Sequence, residues 1–232
     1  MLTLEGLRYT DGAFMLRADL TVPAGRRVAV IGPSGAGKST LLDLIAGFRT
    51  PDAGKVRIAG QDVTALPPGQ RPVAMLFQDN NLFPHLTLAQ NLALALRPRG
   101  GRPDAAERAR IVAVLAQVGL KGMEARRPGS LSGGQQSRAA LARLILQARP
   151  LILLDEPFAA LGPALRAEMA GLMRQAVDAA GATALMVTHD MADARAFADD
   201  AILVAEGMAH PPVALEPLLK DPPPALRAYL GG

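Results

Sequence analysis

The 232-residue chain contains no cysteine and no tryptophan, and aromatic side chains make up only 3% of it. Without cysteine, neither a disulfide framework nor a thiolate metal site can form, which fits the cytosol. No stretch approaches the roughly 20 consecutive apolar residues that a membrane-spanning helix needs. The first residues, MLTLEGLRYTDG, carry Glu5 and lack a long apolar core, so we expect no signal peptide. Any membrane role is therefore expected to come through a partner.

Positive charge is present, but it is spread along the chain. The formal net charge is +4, and only four of the 25 basic residues are lysines. A basic chain can bind nucleic acid or an anionic membrane surface. Here the arginines are scattered and there are few aromatic rings on which bases could stack. We therefore favour ordinary solvated arginines and expect no nucleic-acid partner.

Hydrophobic periodicity predicts an α/β fold. Between Phe14 and Val22 the apolar residues fall mostly on even positions, which indicates a strand with one solvent-exposed face. We expect this strand to pair antiparallel with LTLEGLRY. The segment KVRIAG repeats this pattern. Four other runs, RRVAVIG, PVAMLFQ, PLILLDE and TALMVTH, are almost continuously apolar, as is typical of parallel strands covered on both faces. We predict a parallel sheet with a small antiparallel annex.

Residues 86–149 contain no convincing strand and are predicted to be helical. Asp104 is followed three residues later by Glu107, which is the pattern of a capped helix start. The apolar stripe of this helix is Ile111, Leu115 and Val118. We predict that residues 86–149 form an inserted helical subdomain, and that 1–85 and 150–232 form the α/β core.

The stretch GPSGAGKST fits the phosphate-binding loop pattern G-x-x-x-x-G-K-S and lies between a strand and a helix, as that loop requires. Its glycines let successive backbone N–H groups point at phosphate oxygens, and the helix N-terminus adds a favourable dipole. We expect Lys38 to reach the β- and γ-phosphates and Ser39 to bind Mg²⁺. The residues expected to bind nucleotide here are Gly32, Pro33, Ser34, Gly35, Ala36, Gly37, Lys38, Ser39 and Thr40.

Two neighbouring acids end the apolar run PLILLDE. Asp155 is expected at the carboxyl edge of the sheet, where doubly wound folds bind ligands and where phosphate-loop enzymes use an acid to hold Mg²⁺. Glu156 is then free to orient or deprotonate an attacking water molecule. Together with the phosphate loop, this pair predicts nucleotide hydrolysis.

The segment LSGGQ contains the capping-box pattern of Ser132 and Gln135 and predicts a helix start behind two glycines. On the residues alone, an anion site and a merely structural cap are equally good explanations. However, the order GPSGAGKST, Gln78 after a strand, LSGGQ, LLDEP and His189 after TALMVT resembles the motif order of ATP-binding-cassette (ABC) ATPases. The resemblance covers nearly the whole chain, and it implies the phosphate-loop NTPase fold with ATP and Mg²⁺ as cofactors.

The resemblance also implies roles for individual residues. Two ATPase subunits would pack head to tail as a homodimer. The helix that begins at LSGGQ, the signature helix, would then close over the ATP bound by the other subunit. The residues that contact the ATP of the other subunit would be Ser132, Gly133, Gly134 and Gln135. Gln78 would contact Mg²⁺ and the attacking water, and His189 would contact the γ-phosphate unless it is only a half-exposed histidine at a helix start. Tyr9 lies where the family stacks an aromatic ring on adenine, although it could equally pack beside its strand.

The segment MLFQDNNLFPHLTLAQN resembles the part of importer ATPases that docks a helix of a membrane permease. Phe83, Pro84 and Leu88 would then be exposed on a docking patch, and the alternative is that Leu82, Phe83 and Leu86 pack the subdomain. Such importers also use a periplasmic substrate-binding protein, and the ATPase lies on the cytoplasmic face of the bacterial inner membrane. The residue sequences of these motifs most resemble those of the ATPases of thiamine importers, and iron, sulfate or molybdate are alternative cargoes.

Two positions depart from the family pattern. Gln136 and Ser137 precede Arg138, where an arginine usually follows LSGGQ directly, and Gly162 stands where the family usually has aspartate. Glycine still caps the helix that begins at Pro163, because it is a nearly adequate N-cap, but it cannot make the contact across the dimer. We expect hydrolysis to survive with weaker communication between the two sites. The rival functions are a cassette acting on DNA or ribosomes and a nucleotide-binding module that has lost hydrolysis.

Overall fold

The alternating and continuous apolar runs of the sequence form the strands of one mixed sheet. The computed structural model describes residues 1–79 and 81–229, and eleven strands lie within these ranges. The strands are β1 (Leu2–Asp11), β2 (Phe14–Val22), β3 (Arg27–Ile31), β4 (Ala53–Ile58), β5 (Gln61–Asp62), β6 (Val73–Leu76), β7 (Leu151–Asp155), β8 (Thr183–Val187), β9 (Asp200–Ala205), β10 (Met208–Ala209) and β11 (Val213–Ala214).

The parallel part of the sheet has the strand order β9-β3-β8-β7-β6. Four of these strands are the continuous apolar runs, and their parallel pairing confirms the predicted sheet. Asp155 and Val187, which end β7 and β8, are paired at its carboxyl edge. The residues that follow these two strands are therefore brought side by side.

The antiparallel annex has the order β5-β4-β1-β2, which confirms the second part of the prediction. The pairing of β1 with β2 runs from Leu2 opposite Val22 to Asp11 opposite Phe14. The short strand β10 joins the annex to the parallel part, because it pairs with both β2 and β9.

Eight α-helices lie in the described part of the chain. They are α1 (Lys38–Ala46), α2 (Leu88–Leu96), α3 (Ala105–Gln117), α4 (Gly133–Gln147), α5 (Pro163–Ala179), α6 (Met191–Phe197), α7 (Leu215–Lys220) and α8 (Pro224–Tyr229). One face of the parallel strands packs with α1 and the annex, and the other packs with α4, α5 and α6. Both faces are thus covered, as the continuous apolar runs require. Among residues 1–79 and 81–229, no helix is both long and apolar enough to cross a bilayer.

Residues 86–149 carry α2, α3 and α4 and contain no strand, as predicted. The predicted capping box of Asp104 and Glu107 begins α3, and Ile111, Leu115 and Val118 are buried as its apolar stripe. The three helices pack on one another, and α4 also contacts β6 and α5. The apolar residues of these helices belong to the same buried cluster as the parallel strands. The division of the chain into a helical subdomain and an α/β core at residues 86 and 149 therefore stays a prediction.

The end of α1 is fixed by a buried arginine. The Arg71 guanidinium donates to the carbonyl oxygens of Leu44 and Ile45 at 2.7 and 2.9 Å, and to that of Leu66 at 2.8 Å. These charge-assisted bonds satisfy carbonyl groups that a helix end otherwise leaves unpaired. Arg71 thereby holds the helix that follows the phosphate loop.

Candidate active site

The phosphate loop contains two glycines whose backbone conformation and surroundings disfavour any side chain. Gly32 and Gly37 have φ angles of 147° and 105°, in the region that L side chains rarely adopt. A Cβ atom on Gly32 would overlap the backbone carbonyl of Val204 in β9, and one on Gly37 would lie 2.7 Å from the Phe14 ring. Gly37 is also the N-cap of α1 and provides no side chain to its first N–H groups. These groups are available to an anion.

Lys38 lies against its own loop. Its ammonium donates to the carbonyl oxygens of Gly32 and Pro33 at 2.8 and 2.9 Å. The Ala36 N–H donates to the same Pro33 carbonyl at 3.2 Å, which closes the loop turn. Burial lowers the pKa of Lys38, and the carboxylates of Glu156 and Asp155 act in the opposite direction. The cation is thus placed between the loop and the two acids.

A polar cleft of about 370 Å³ opens in front of the loop. The predicted residues that line it are Ser34, Gly35, Gly37, Lys38, Ser39, Thr40 and Glu156. Asp11, Phe14 and Arg49 also line it, although they belong to none of the sequence motifs. One sequence feature could have identified Phe14: it is an aromatic residue on the inward face of β2, at the start of that strand. The approach of Arg49 depends on the tertiary fold.

Asp155 lies beside the first turn of α1. The Ser39 hydroxyl donates to its Oδ1 atom at 3.4 Å. Burial, followed by the charges of Glu156 and Asp43, raises the pKa of Asp155, and Ser39 and Lys38 partly oppose this. A hydroxyl and a carboxylate side by side are oxygen ligands of the kind that Mg²⁺ uses together with water and phosphate. The two residues therefore fit a magnesium site that is completed by a nucleotide.

Glu156 has an unusual backbone conformation for a glutamate. Its φ angle is 46°, and its N–H donates to the Val187 carbonyl oxygen of the neighbouring strand at 3.0 Å. Residues held in this left-handed region cost on the order of 1–3 kcal/mol and often occur at functional sites. The hydrogen bond ties Glu156 to the end of β8, two residues before His189.

His189 meets Glu156 at that edge of the sheet. Its Nδ1 atom lies 3.2 Å from Glu156 Oε2, and 60% of the histidine side chain is exposed. The predicted half-exposed histidine is therefore also a contact of the candidate base. Gln78 lies two residues beyond β6, is exposed, and is not among the cleft-lining residues described above.

Tyr9 lies next to the cleft without lining it. Arg49 Nη1 donates to the Tyr9 hydroxyl at 2.5 Å, and the guanidinium lies 5.4 Å from the ring centroid. The Tyr9 hydroxyl in turn points to Asp11 at 3.4 Å. The ring also packs against the annex core, so the packing alternative is realised here. Stacking on adenine stays a prediction for Tyr9.

The predicted capping box of the signature segment is present. The Gln135 N–H donates to Ser132 Oγ at 3.3 Å, and the Ser132 N–H donates to Gln135 Oε1 at 3.1 Å. A Cβ atom on Gly133 would meet open space, whereas one on Gly134 would collide with Leu165 of α5. Gly134 therefore lets α4 approach α5, and Gly133 leaves the helix start open. None of these four residues lines the cleft of its own chain, within the part of the chain that the structure describes.

The expectation for the docking patch was partly wrong. Phe83 is 46% exposed and Pro84 is exposed, but Leu88 is completely buried. Leu88 is the first residue of α2 and forms an inward stripe with Asn91 and Leu92, at the i, i+3, i+4 spacing of one helix face. Leu82 is half-buried against the core, as the packing alternative expected.

Asn91 fixes the main chain that presents Phe83. Its buried amide accepts from the Phe83 N–H at 2.7 Å and donates to the Phe83 carbonyl oxygen at 3.1 Å. A separate, mainly apolar groove of about 460 Å³ lies between α2 and α3. Ala93, Leu94, Ile111 and Val112 are among its lining residues.

Comparison with known proteins shows the family of the chain. The family model described as ABC transporter matches residues 16–159. A thiamine import ATP-binding protein of Cereibacter sphaeroides is 58% identical over 231 residues, and the match covers 100% of both chains. A protein of the same name from Escherichia coli strain K12 is 49% identical over 207 residues, covering 89% of both chains.

Solved structures give the same result. A dimeric ATP-binding cassette in a post-hydrolysis state, bound to ADP and phosphate, superimposes with a TM-score of 0.78 and 30% identity, over 93% of this chain and 99% of that chain. The ADP conformation of another ABC transporter cassette has a TM-score of 0.88 over 100% of this chain and 99% of its own, and its 24% identity supports the fold alone. The chain therefore belongs to the ABC transporter family, as an ATP-binding cassette ATPase.

Proposed function

We propose that this chain is the ATP-hydrolysing subunit that powers a membrane permease importing thiamine. The observation that carries the hydrolytic part is the contact between His189 and Glu156 at the edge of a cleft that also contains the phosphate loop. The assignment of thiamine is supported by the full-length similarity to the thiamine import ATP-binding proteins.

The nucleotide phosphates would be bound by the backbone of the phosphate loop. The open N–H groups at the start of α1 and the Lys38 ammonium would neutralise the β- and γ-phosphate charge. Ser39 and Asp155 would hold Mg²⁺, with Gln78 as a further contact, and the ion would supply additional positive charge to the phosphate oxygens. Thr40, Arg49 and Phe14 would bound the rest of the cleft.

Glu156 would orient the attacking water molecule and accept its proton. Its side chain is 27% exposed, so water can reach it. The contact with His189 fixes the direction of both side chains, because each then has a defined partner at 3.2 Å. His189 would contact the γ-phosphate from this position. General-base catalysis of this kind contributes about 10²–10⁴-fold to a rate.

The signature helix would act on the nucleotide of a second copy of this chain. Ser132, Gly133, Gly134 and Gln135 stand at an open helix start with no lysine or metal-binding acid of its own. An anion would bind there through the N–H groups. We therefore propose a homodimer with two composite ATP sites, in which Gly133 gives the closest approach to the partner's phosphates.

The permease would dock on the groove between α2 and α3. This groove is lined mainly by apolar side chains, and its charged lining residues are three arginines and one glutamate, namely Arg97, Arg102, Arg108 and Glu124. A permease segment that carries apolar side chains beside an acidic residue would complement both features. Leu86, which lines the groove, donates its N–H to the Phe83 carbonyl oxygen at 3.2 Å, so the exposed Phe83 would extend this patch. The subunit would thus lie peripherally on the cytoplasmic face of the inner membrane, with thiamine delivered by a periplasmic substrate-binding protein.

The experiment that tests the cargo is purification of the membrane complex that contains this subunit, followed by mass spectrometry of the small molecule bound to it. Thiamine is the expected molecule. Iron, sulfate or molybdate in its place would contradict the cargo while leaving the ATPase assignment intact.

A further inference from the structure

The C-terminal helix α8 lies near the carboxyl edge of the sheet, where Glu156 and His189 meet. Leu226 is completely buried and belongs to the core that includes the parallel strands, and Tyr229 packs half-buried against the same core. The Tyr229 hydroxyl donates to the main-chain carbonyl oxygen of His189 at 3.0 Å. The contact joins residues 40 positions apart in the sequence. We propose that Tyr229 is a positioning residue for ATP hydrolysis, which acts on Glu156 through His189.

The surroundings of His189 explain why one further hydrogen bond matters. On its C-terminal side, Asp190 caps α6 by accepting from the Ala192 N–H at 2.8 Å, and its carboxylate also pairs with Arg166 of α5. On its N-terminal side, Thr188 is buried and its hydroxyl accepts from the Asp190 N–H at 3.1 Å. The His189 ring itself is mostly exposed and meets Glu156. Tyr229 adds a restraint on the peptide group from which that exposed ring projects.

The tyrosine hydroxyl is suited to this task. Burial raises the pKa of the Tyr229 phenol, and the negative charges of Glu156 and Asp190 raise it further. The phenol therefore stays protonated and remains a donor throughout the neutral range. The same interaction places the hydroxyl within the electrostatic field of the candidate base, although it need not touch the nucleotide. Phenylalanine would keep the packing and lose only the donor.

This inference rests on the proposed hydrolytic role of Glu156 and His189. Loss of one such hydrogen bond corresponds to a change of about two- to tenfold in a rate or an equilibrium. In the full chain assembled with its permease, Tyr229→Phe should lower kcat for ATP hydrolysis by about that factor. KM for ATP should be unchanged, because the phosphate loop keeps all its contacts.

A matched control lies on the same helix. The Arg227 side chain is 61% exposed, and its two contacts, with the Asp221 carboxylate at 3.6 Å and the Pro222 carbonyl oxygen at 3.2 Å, both lie in the turn before α8 and do not reach His189. Arg227→Gln should therefore leave kcat unchanged. If Arg227→Gln lowered kcat as much as Tyr229→Phe, general loosening of α8 would explain both effects and the positioning role would be overturned.

A second measurement does not depend on turnover. The chain has only three histidines, so the ring signals of His85, His189 and His210 can be assigned by substitution and followed by NMR. Tyr229→Phe should shift the His189 signals and leave the other two in place. Unmoved His189 signals, or an unchanged kcat in an active complex, would overturn the inference alone. A parent complex that hydrolyses no ATP would overturn the proposed function, and the positioning role with it.

Discussion

Glu156 combines an acidic side chain, a left-handed backbone and a histidine contact in one position. We predict that Glu156→Gln lowers ATP turnover by about 10²–10⁴-fold, because the amide cannot accept a proton. The variant should still bind ATP, since glutamine has the same shape and leaves the phosphate loop unchanged. Turnover and nucleotide affinity measured on the same preparation separate the two effects. Turnover close to that of the parent would exclude Glu156 as the base.

Asp155 is predicted to destabilise the nucleotide-free protein at neutral pH. Its pKa is raised in the folded state, so the folded protein binds the proton more tightly than the unfolded chain does. Stability therefore falls as the pH rises from the unfolded value of about 4 through the folded pKa, and the penalty is complete above it.

Asp155→Asn should accordingly raise the melting temperature without nucleotide at neutral pH, and this gain should vanish below about pH 4. Thermal unfolding at several pH values checks the sign. A melting temperature that falls at neutral pH would show that the carboxylate stabilises the fold instead. Mg²⁺-dependent nucleotide binding should weaken in the same variant, because a metal ligand is lost.

At the scale of elements, α5 begins without a capping side chain. Gly162 is its N-cap with φ −70°, and a Cβ atom there would meet no atom within 4 Å. Gly162→Asp can therefore be accommodated without strain. It should stabilise the protein by a few tenths of a kcal/mol, about the difference between glycine and aspartate at an N-cap.

The same substitution tests communication between the two ATP sites. If the absent side chain weakens coupling across the dimer, Gly162→Asp should raise the Hill coefficient for ATP hydrolysis. The stability gain alone, with an unchanged Hill coefficient and rate, would mean that position 162 only caps α5. Chemical denaturation and ATPase titration provide the two readouts.

The elements that sequence patterns predicted are those whose signal is local. The alternating and continuous apolar runs predicted β1 to β4 and β6 to β8, and the capping boxes predicted the starts of α3 and α4. The strand β9 was missed, although its segment AILVA carries the same apolar signal beside Asp199 and Asp200. The burial of Leu88 was also predictable from its spacing to Leu92.

Other features depend on the tertiary fold. Arg49 reaches the cleft from beyond the end of α1, and Tyr229 reaches His189 from 40 residues away. Glu156 combines a left-handed backbone with a hydrogen bond to Val187 on the neighbouring strand. No local pattern of residues encodes these approaches, because they exist only once the sheet has assembled.

At the scale of the whole molecule, the groove between α2 and α3 is predicted to bind the permease. Val112 lines it and is 46% exposed, so Val112→Glu should leave the fold and ATP binding intact. The introduced charge should weaken association with the permease by about tenfold or more. Val213, which is 48% exposed on β11 and does not line the groove, provides the matched control Val213→Glu. Equal association of both variants would place the permease elsewhere.

The central claim is that ATP hydrolysis at Lys38 and Glu156 drives thiamine import. Its most direct test is uptake of labelled thiamine by vesicles that contain the permease with this subunit, and with the binding protein supplied outside. We expect uptake that requires ATP on the side of this subunit and that Glu156→Gln abolishes. Uptake that persists in that variant, or ATP-driven uptake of another solute but not of thiamine, would contradict it.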